Sequence, residues 1–358
     1  MRFASPSASR RADDIIARYH ARRRRQRRLL VVMAGLTLLA LLVELATGPG
    51  GYPLDAVLTA LLTPDQVAST LRAIVWEVRL PVALMAALTG ASLAMAGAEM
   101  QTLLNNPLAD PFTLGIASAA SVGAALSLVL GVQLVPLIGP WLIAGNAFLM
   151  AMAAALTLWA VNRWRGVGVQ GLVLLGIAIM FFFNALLGLL QFVASAEALQ
   201  QLTFWSLGSL SRADWPAVAL VAVVLAVCGI GFARGRWQLT ALGLGEAHAH
   251  SLGIDTQTLR LRALLGASLL AAATVACVGT IGFVGLVGPH IARLLVGEDQ
   301  RVFLPMATLC GALLMSVTAT LAKSVVPGLV VPIGLITALI GLPFFVSLIL
   351  RSRTEPWG

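Results

Sequence analysis

Charge is the scarcest commodity in this sequence. Only 11% of its 358 residues are Asp, Glu, Lys or Arg, while 59% are hydrophobic and the mean hydropathy is +0.92. Soluble domains carry about 25% charged residues, so a water-soluble enzyme and a disordered chain are both excluded. Cysteine occurs three times; Cys228, Cys277 and Cys310 each lie within an apolar run and lack the C-x-x-C spacing of a metal or redox site. They read as buried structural thiols. Lysine occurs once, at Lys323, in the string LAKS. A phosphate-cradling loop needs glycine before its lysine, and Ala322 stands there, so this chain has no such route to ATP hydrolysis. His248 and His250 are two apart and would face away from each other on a helix. No Ser/His/Asp set or carboxylate pair has catalytic spacing. Neither catalytic nor metal-ligating residues are expected.

What charge there is sits at one end. The formal net charge is +9. Residues 1–28 hold ten arginines against Asp13 and Asp14, a net +8, which leaves +1 for the remaining 330 residues. The basicity is a tail, and nucleic-acid binding by the body is excluded. The tail leads into an apolar run over 29–46 with no A-x-A cleavage pattern behind it. That run reads as a first transmembrane helix with a basic cytoplasmic flank rather than as a signal peptide.

A bilayer core about 30 Å thick requires about 20 apolar residues per helix. On that scale spans fall near 29–47, 82–104, 113–131, 136–161, 170–194, 215–233, 260–280, 282–297, 303–323 and 332–351. The expectation is an all-α, polytopic membrane protein of about ten helices. With the N-terminus inside, inner connections hold Arg163, Arg165, Arg234, Arg236, Arg260, Arg262, Arg293, Arg301, Arg351 and Arg353, whereas the outer side holds Arg72, Arg79, Arg212 and Lys323. The positive-inside rule then places both termini in the cytoplasm. The divisions expected are a basic cytoplasmic tail over 1–28, a transmembrane domain over 29–353 and a short C-terminal tail over 354–358. Two connections are too long for simple turns: an external one over 48–81 and an internal, polar one over 234–259.

Intramembrane ionisable groups are few. Glu44 and Glu99 lie near span ends, and Asn146, Asn184 and Gln191 are the main uncharged polar groups. No Asp/Glu/His chain crosses the bilayer, so an ion-coupled carrier lacks its usual relay. Small residues recur at helical spacing as Gly90, Ala94, Gly97 and Ala98, and as Gly282, Gly285 and Gly288. Such stripes let helix backbones approach in lipid, either for fixed packing or for sliding during transport.

Five motifs stand in order along the chain: WEVRLP at 76–81; AGAEMQ at 96–101; NPLADP at 106–111 with Leu114, Gly115 and Ile116; GTIGFVGLVGPHIAR at 279–293; and PIG at 332–334 with IGLPFF at 340–345. Together they resemble the permease subunits of ATP-binding-cassette importers for iron–siderophore complexes, haem and vitamin B12. The motif residues that carry the resemblance include Asn106, Pro107, Asp110, Pro111, Gly115, Gly288, Pro289 and His290.

The resemblance implies a ten-helix importer permease in the cell inner (cytoplasmic) membrane. Its implied partners are a second permease subunit, the same or related, two cytoplasmic ATP-binding subunits and a periplasmic or extracellular substrate-binding protein, with membrane lipid around it. ATP and Mg would be bound by the partner subunits, and no cofactor by this chain. The string LGLGEAHAHSLG at 242–253 resembles the ATPase-coupling segment, implicating Leu242, Gly243, Gly245, Glu246, Ala247, Ser251, Leu252 and Gly253. For docking of the binding protein the candidates are Arg79 and Lys323, with Arg72 a lesser one; a local pair between Arg79 and Glu77 is the alternative. The family pattern R-L-P-R has Val82 in place of its second arginine, and the last external turn reads Ala322-Lys323-Ser324, a variant like that of ferric-chelate branches. The fifth span, with Met180, Phe183, Asn184 and Gln191, would line the translocation route, the alternative being that its phenylalanines face lipid. The function implied is ATP-driven import of a ferric siderophore by alternating access. Haem or cobalamin import is the alternative, with an ion-coupled carrier further off.

Overall fold

The computed structural model describes residues 6–48, 51–326 and 328–352; the expected tail over 354–358 lies outside them. The described chain is a bundle of helices in chain order: α1 Pro6–Ala46, α2 Leu54–Leu62, α3 Ser69–Ala73, α4 Leu80–Leu103, α5 Ile116–Leu130, α6 Pro140–Arg165, α7 Gly168–Val193, α8 Ala196–Ser206, α9 Trp215–Gly243, α10 Glu246–Ser251, α11 Thr256–Val278, α12 Val284–Val296, α13 Gln300–Ser324 and α14 Ile333–Ser352. Seven helical stretches are long and apolar enough to cross a membrane, and α5, α12 and the apolar part of α14 are shorter apolar helices. Those ten coincide with the ten spans read from the sequence.

Two elements extend beyond their apolar runs. The helix α1 passes unbroken through residue 28, so the basic segment from Pro6 onward continues the first span as one helix. Likewise α9 runs through Arg234 and Arg236 to Gly243, so the first part of the polar stretch 234–259 is helical. Its non-helical part shrinks to a few residues on either side of α10. Hydropathy marks where lipid ends; backbone hydrogen bonding continues as long as the residues tolerate a helix.

The connection at the other end is also ordered. Between α3 and α4, residues Ile74–Arg79 form a turn wider than an α-helix, so 69–103 is one continuous helical rod. Pro81 has no N–H, which frees a carbonyl one turn back. The Trp215 indole N–H donates to the Trp76 carbonyl at 3.1 Å, and the Trp76 indole donates to the Ala60 carbonyl at 3.0 Å.

The centre of the bundle is α4, packed on α13, α12, α11 and α9. Its backbone meets neighbours with nothing between. A Cβ built on Gly97 would stand 1.9 Å from the Gly285 carbonyl oxygen, and one on Gly90 would stand 2.1 Å from that of Gly311. A Cβ on Gly288 would fall 2.8 Å from that of Ala94. Without a hydrophobic force between helices in lipid, such close approach supplies the van der Waals contact that holds them. Gly282 does not share this role: it precedes α12, and a Cβ there meets nothing within 4 Å. Cys228 and Cys310 are buried and Cys277 half-buried, all three free.

Candidate functional site

Three regions bear on function, and the NPLADP motif joins two of them. Leu104–Gly115 leaves α4 through two successive side-chain turns. Asn106 Oδ1 accepts from the Leu108 amide at 2.9 Å, and Asp110 Oδ1 accepts from the Phe112 amide at 2.8 Å. Each acceptor precedes a proline, Pro107 or Pro111, whose fixed φ presets the turn. Thr113 Oγ1 donates to the Asp110 carbonyl at 2.7 Å. The Asp110 carboxyl lies against the Gly285 backbone, where a Cβ would approach Oδ2 to 2.7 Å. Burial pushes this carboxyl up to about 6, opposed by the Phe112 amide. The motif ends at Gly115, whose φ of +81° lets the chain turn into α5 directly beneath Met180 of α7. A Cβ there would meet the Met180 nitrogen at 2.8 Å.

From the end of α4 a polar network spreads around one end of the bundle. Gln101 Nε2 donates to the Gly285 carbonyl at 3.2 Å, and Gln101 Oε1 accepts from Arg293 of α12 at 3.2 Å. Arg293 also pairs with Glu298 at 2.9 Å and lies over the Phe303 ring. Gln300 Nε2 donates to Thr102 Oγ1 at 2.8 Å, while its amide donates to Thr240 Oγ1 of α9 at 3.2 Å. Gln26 of α1 donates to the Val296 carbonyl at 2.9 Å. Five helices, α1, α4, α9, α12 and α13, are thus tied together beside the start of α10. His290 is half-buried, its ring edge-on to Phe344, and Pro289 is buried within α12.

The short helix α10 hangs below this network. Leu242 is buried, Gly243 and Gly245 are half-buried, and Glu246, Ala247, Ser251, Leu252 and Gly253 are exposed. Gly245 has φ +113° and turns the chain between α9 and α10. Glu246 does double service: Oε2 pairs with the buried Arg260 at 3.3 Å, and Oε1 accepts from Thr256 Oγ1 at 3.3 Å. Asp255 caps α11, and hydrogen bonds from Thr258 hold its carboxyl below the usual carboxylate range. The result is a six-residue helix braced on α11, presenting Leu244, 68% exposed, and Leu252, 48% exposed, among polar side chains. Leu244 was not singled out in the sequence; an apolar residue facing outward next to a glycine turn was its signal.

The opposite end differs. There the residues just after α1, the start of α4, α8 and the end of α13, with the turns that follow α8 and α13, line a cleft of about 880 Å³ that includes Arg79, Arg212 and Lys323. The three docking candidates differ in exposure. Arg79 is only 4% exposed; its guanidinium donates to the Leu45, Ala46 and Gly48 carbonyls at 2.9, 3.3 and 3.2 Å. It caps the end of α1, where unpaired carbonyls attract a cation. Lys323 Nζ pairs with the fully buried Glu44 at 3.2 Å and its side chain is 11% exposed. Neither base stands on an open face. Arg72 does, although it is paired with Asp65 at 3.0 Å.

The polar and aromatic residues of the fifth span divide. Phe183 is buried and Met180 half-buried, whereas Asn184 and Gln191 are exposed, as are Phe181 and Phe182. Asn146 is a packing residue: it donates to Ser127 Oγ at 2.7 Å and the Val132 carbonyl at 2.8 Å and accepts from the Leu134 amide. Glu99 is fully buried, and neither carboxyl oxygen has a hydrogen-bond partner among the described residues. Among those residues no cluster of His, Cys, Asp and Glu could hold a metal ion.

The sequence matches the model of the FecCD transport family over residues 36–351. The chain belongs to the FecCD transport family. It is a multi-pass membrane permease of the ATP-binding-cassette importer type. Similar family members include the hemin transport system permease protein HmuU of Yersinia pestis, 37% identical over 90% of this chain and 96% of that protein. The vitamin B12 import system permease protein BtuC of Vibrio cholerae is 36% identical over 82% of this chain and 87% of its own length. Among solved structures, a metal-chelate type ABC transporter in an inward-facing conformation superposes with a TM-score of 0.79 at 29% identity, covering 90% of this FecCD permease and 99% of that chain.

Proposed function

We propose that this FecCD permease carries a ferric-siderophore complex inward across the cytoplasmic membrane by alternating access, driven by ATP hydrolysed on two partner subunits. The observation that carries the coupling is α10. A braced short helix flanked by two outward leucines is suited to sit in a cleft on an ATPase and transmit its closure. Through Gly243, which lies against Thr102, and the Gln101–Arg293–Gln300 network, that movement reaches α4, α12 and α13. The basic flank of α1 and the inner arginines argue for the α10 end lying in the cytoplasm. The cleft end then faces outward, toward an external binding protein.

The chelate assignment draws on the metal-chelate transporter among the solved relatives and on the last external turn around Lys323. Haem or cobalamin import stays the second reading, favoured by the HmuU and BtuC likenesses. In either case a second permease, identical or related, would complete the pathway, with the exposed face of α7 contributing Asn184 and Gln191. Docking of the binding protein would rest on Arg72 and on the exposed parts of the external turns, with exposed pairs worth about 0–1 kcal/mol each.

Affinity capture tests the coupling directly. The wild-type permease is expected to retain its ATP-binding subunits through detergent purification, and Leu244→Asp with Leu252→Asp is expected to release them. Full retention by that variant would overturn the role given to α10.

A further inference from the structure

We propose that the basic end of α1 carries a binding site for an anionic phospholipid of the cytoplasmic leaflet, its phosphate held by Arg24, Arg25 and Arg28 and its acyl chains lying along Val32, Leu39 and Val43. The site goes beyond the importer reading and does not depend on which solute the permease carries.

The two faces of α1 lead there. At about 3.6 residues per turn, Gln26, Leu30, Met33, Thr37 and Glu44 fall on one side of the helix. That side is fastened to the bundle: Gln26 donates to the Val296 carbonyl at 2.9 Å, Thr37 Oγ1 meets the Leu309 carbonyl at 3.4 Å, and Glu44 pairs with Lys323 at 3.2 Å. The opposite side carries Arg24, Arg25 and Arg28, and in line with them Val32, Leu39 and Val43, every one exposed. Little of the span that includes them is buried within the chain, so lipid has access to this face along its length. One lane therefore runs from guanidinium groups into apolar side chains, the order of headgroup and tail in a phospholipid.

Depth agrees with this. Arg28 directly precedes the apolar run, and the four residues from Arg24 to Arg28 rise about 6 Å. The polar layer on each side of the hydrocarbon core is about 5–8 Å deep. Helical side chains lean toward the N-terminus, which here points them away from the hydrocarbon and toward the phosphates.

The three arginines are also uncommitted. Among the described residues none of them forms an ion pair or a side-chain hydrogen bond, and no Asp or Glu occurs between Asp14 and Glu44. Their neighbours are engaged elsewhere. Arg23 lies over the Tyr19 ring at 5.9 Å, and Arg22 lies against the turn at Gly297. Arg18 pairs with Asp14 at 2.7 Å and stands about 15 Å beyond Arg28 along the helix, outside the reach of about 8 Å that physiological salt leaves to a charge. A guanidinium can meet two phosphate oxygens at once, and the cytoplasmic leaflet carries the anionic headgroups. An acidic protein surface is a poorer match, since it would have to enter the headgroup layer beside an exposed apolar lane.

The test is native mass spectrometry of the full-length permease with its ATP-binding subunits, in detergent with equal amounts of phosphatidylglycerol and phosphatidylcholine bearing the same chains. Wild type should retain phosphatidylglycerol at least tenfold over phosphatidylcholine, with the preference narrowing as ammonium acetate is raised. The Arg24→Gln, Arg25→Gln, Arg28→Gln variant should bring that ratio to about one. The Arg22→Gln, Arg23→Gln, Arg27→Gln variant loses the same charge from other faces and should keep most of the preference. Both variants alter only exposed side chains, and equal melting temperatures in phosphatidylcholine would show that neither has damaged the fold. If the first triple does lower melting, Arg→Lys at the same three positions keeps the charge and should keep the preference. Equal losses in the two triples would overturn the site in favour of diffuse attraction. Displacement of the bound lipid by glycerophosphoglycerol, which has the headgroup and no chains, would overturn the apolar lane. An unchanged lipid ratio accompanied by release of the ATP-binding subunits would make this a protein contact, and would also overturn the proposal.

Discussion

Helices α4 and α7 make an instructive pair. The rod that ends in α4 is the less apolar of the two, yet most of it is buried inside the chain, whereas most of α7 is not. In water the more apolar helix would occupy the core. In lipid the tails are as apolar as leucine, and burial follows the size of the side chains: Gly90, Ala94, Gly97 and Ala98 let neighbours in, whereas Phe181, Phe182 and Phe192 hold them off. The same rule makes α4 a fixed axis and leaves α7 a face available to a second subunit or a passing ligand.

The largest effect should come from breaking the axis. Gly97→Leu drives a side chain into the Gly285 carbonyl, and no rotamer relieves a backbone clash. It should cost more than about 4 kcal/mol, among the extreme single-site values, and appear as loss of monodisperse protein on size-exclusion chromatography. Gly188→Ala in α7, where nothing lies within 4 Å, should change stability by less than about 1 kcal/mol. Equal damage from both would dissolve the contrast.

Next in size is the buried pair behind the cleft. Lys323→Ala strands the Glu44 carboxylate and should lower stability by about 3–5 kcal/mol. Much of that should return in the Glu44→Ala, Lys323→Ala double variant, as thermal melting in detergent would record. At the other end, Glu246→Arg should leave insertion intact but lower uptake per ATP hydrolysed several-fold. Its contact with Arg260 means that part of the effect is a loosened α10; Glu246→Gln keeps the Thr256 contact and should fall between. Normal uptake with a normally stimulated ATPase in Glu246→Arg would remove the coupling role. The smallest change should follow deletion of residues 1–24. That keeps the Gln26–Val296 bond and should reduce insertion efficiency while sparing turnover per inserted molecule.

Much of α4 was legible in advance, because its glycine and alanine spacing reports directly on which face can be approached. The ten apolar runs were legible for the same local reason. The fate of the outer bases was not. Arg79 is taken up by carbonyls more than 30 residues earlier, and Lys323 by an acid 279 residues away, so a base that reads as exposed from its neighbours is buried by the fold. The end of α9 was missed because Arg234 and Arg236 announce the membrane boundary, whereas the helix ends only at the glycine turn after Gly243. Asn146 stands out in the sequence only as an uncharged polar group within a span; its particular partners, Ser127 and two backbone groups, are set by the fold, which no periodicity could reveal.

The most direct measurement is uptake of an iron-labelled chelate into proteoliposomes that hold this permease with its ATP-binding subunits, with the external binding protein added outside. Accumulation that requires both internal ATP and the binding protein, and is indifferent to collapsing proton and sodium gradients, is the predicted result. Accumulation that proceeds without ATP and stops when those gradients are collapsed would contradict the account.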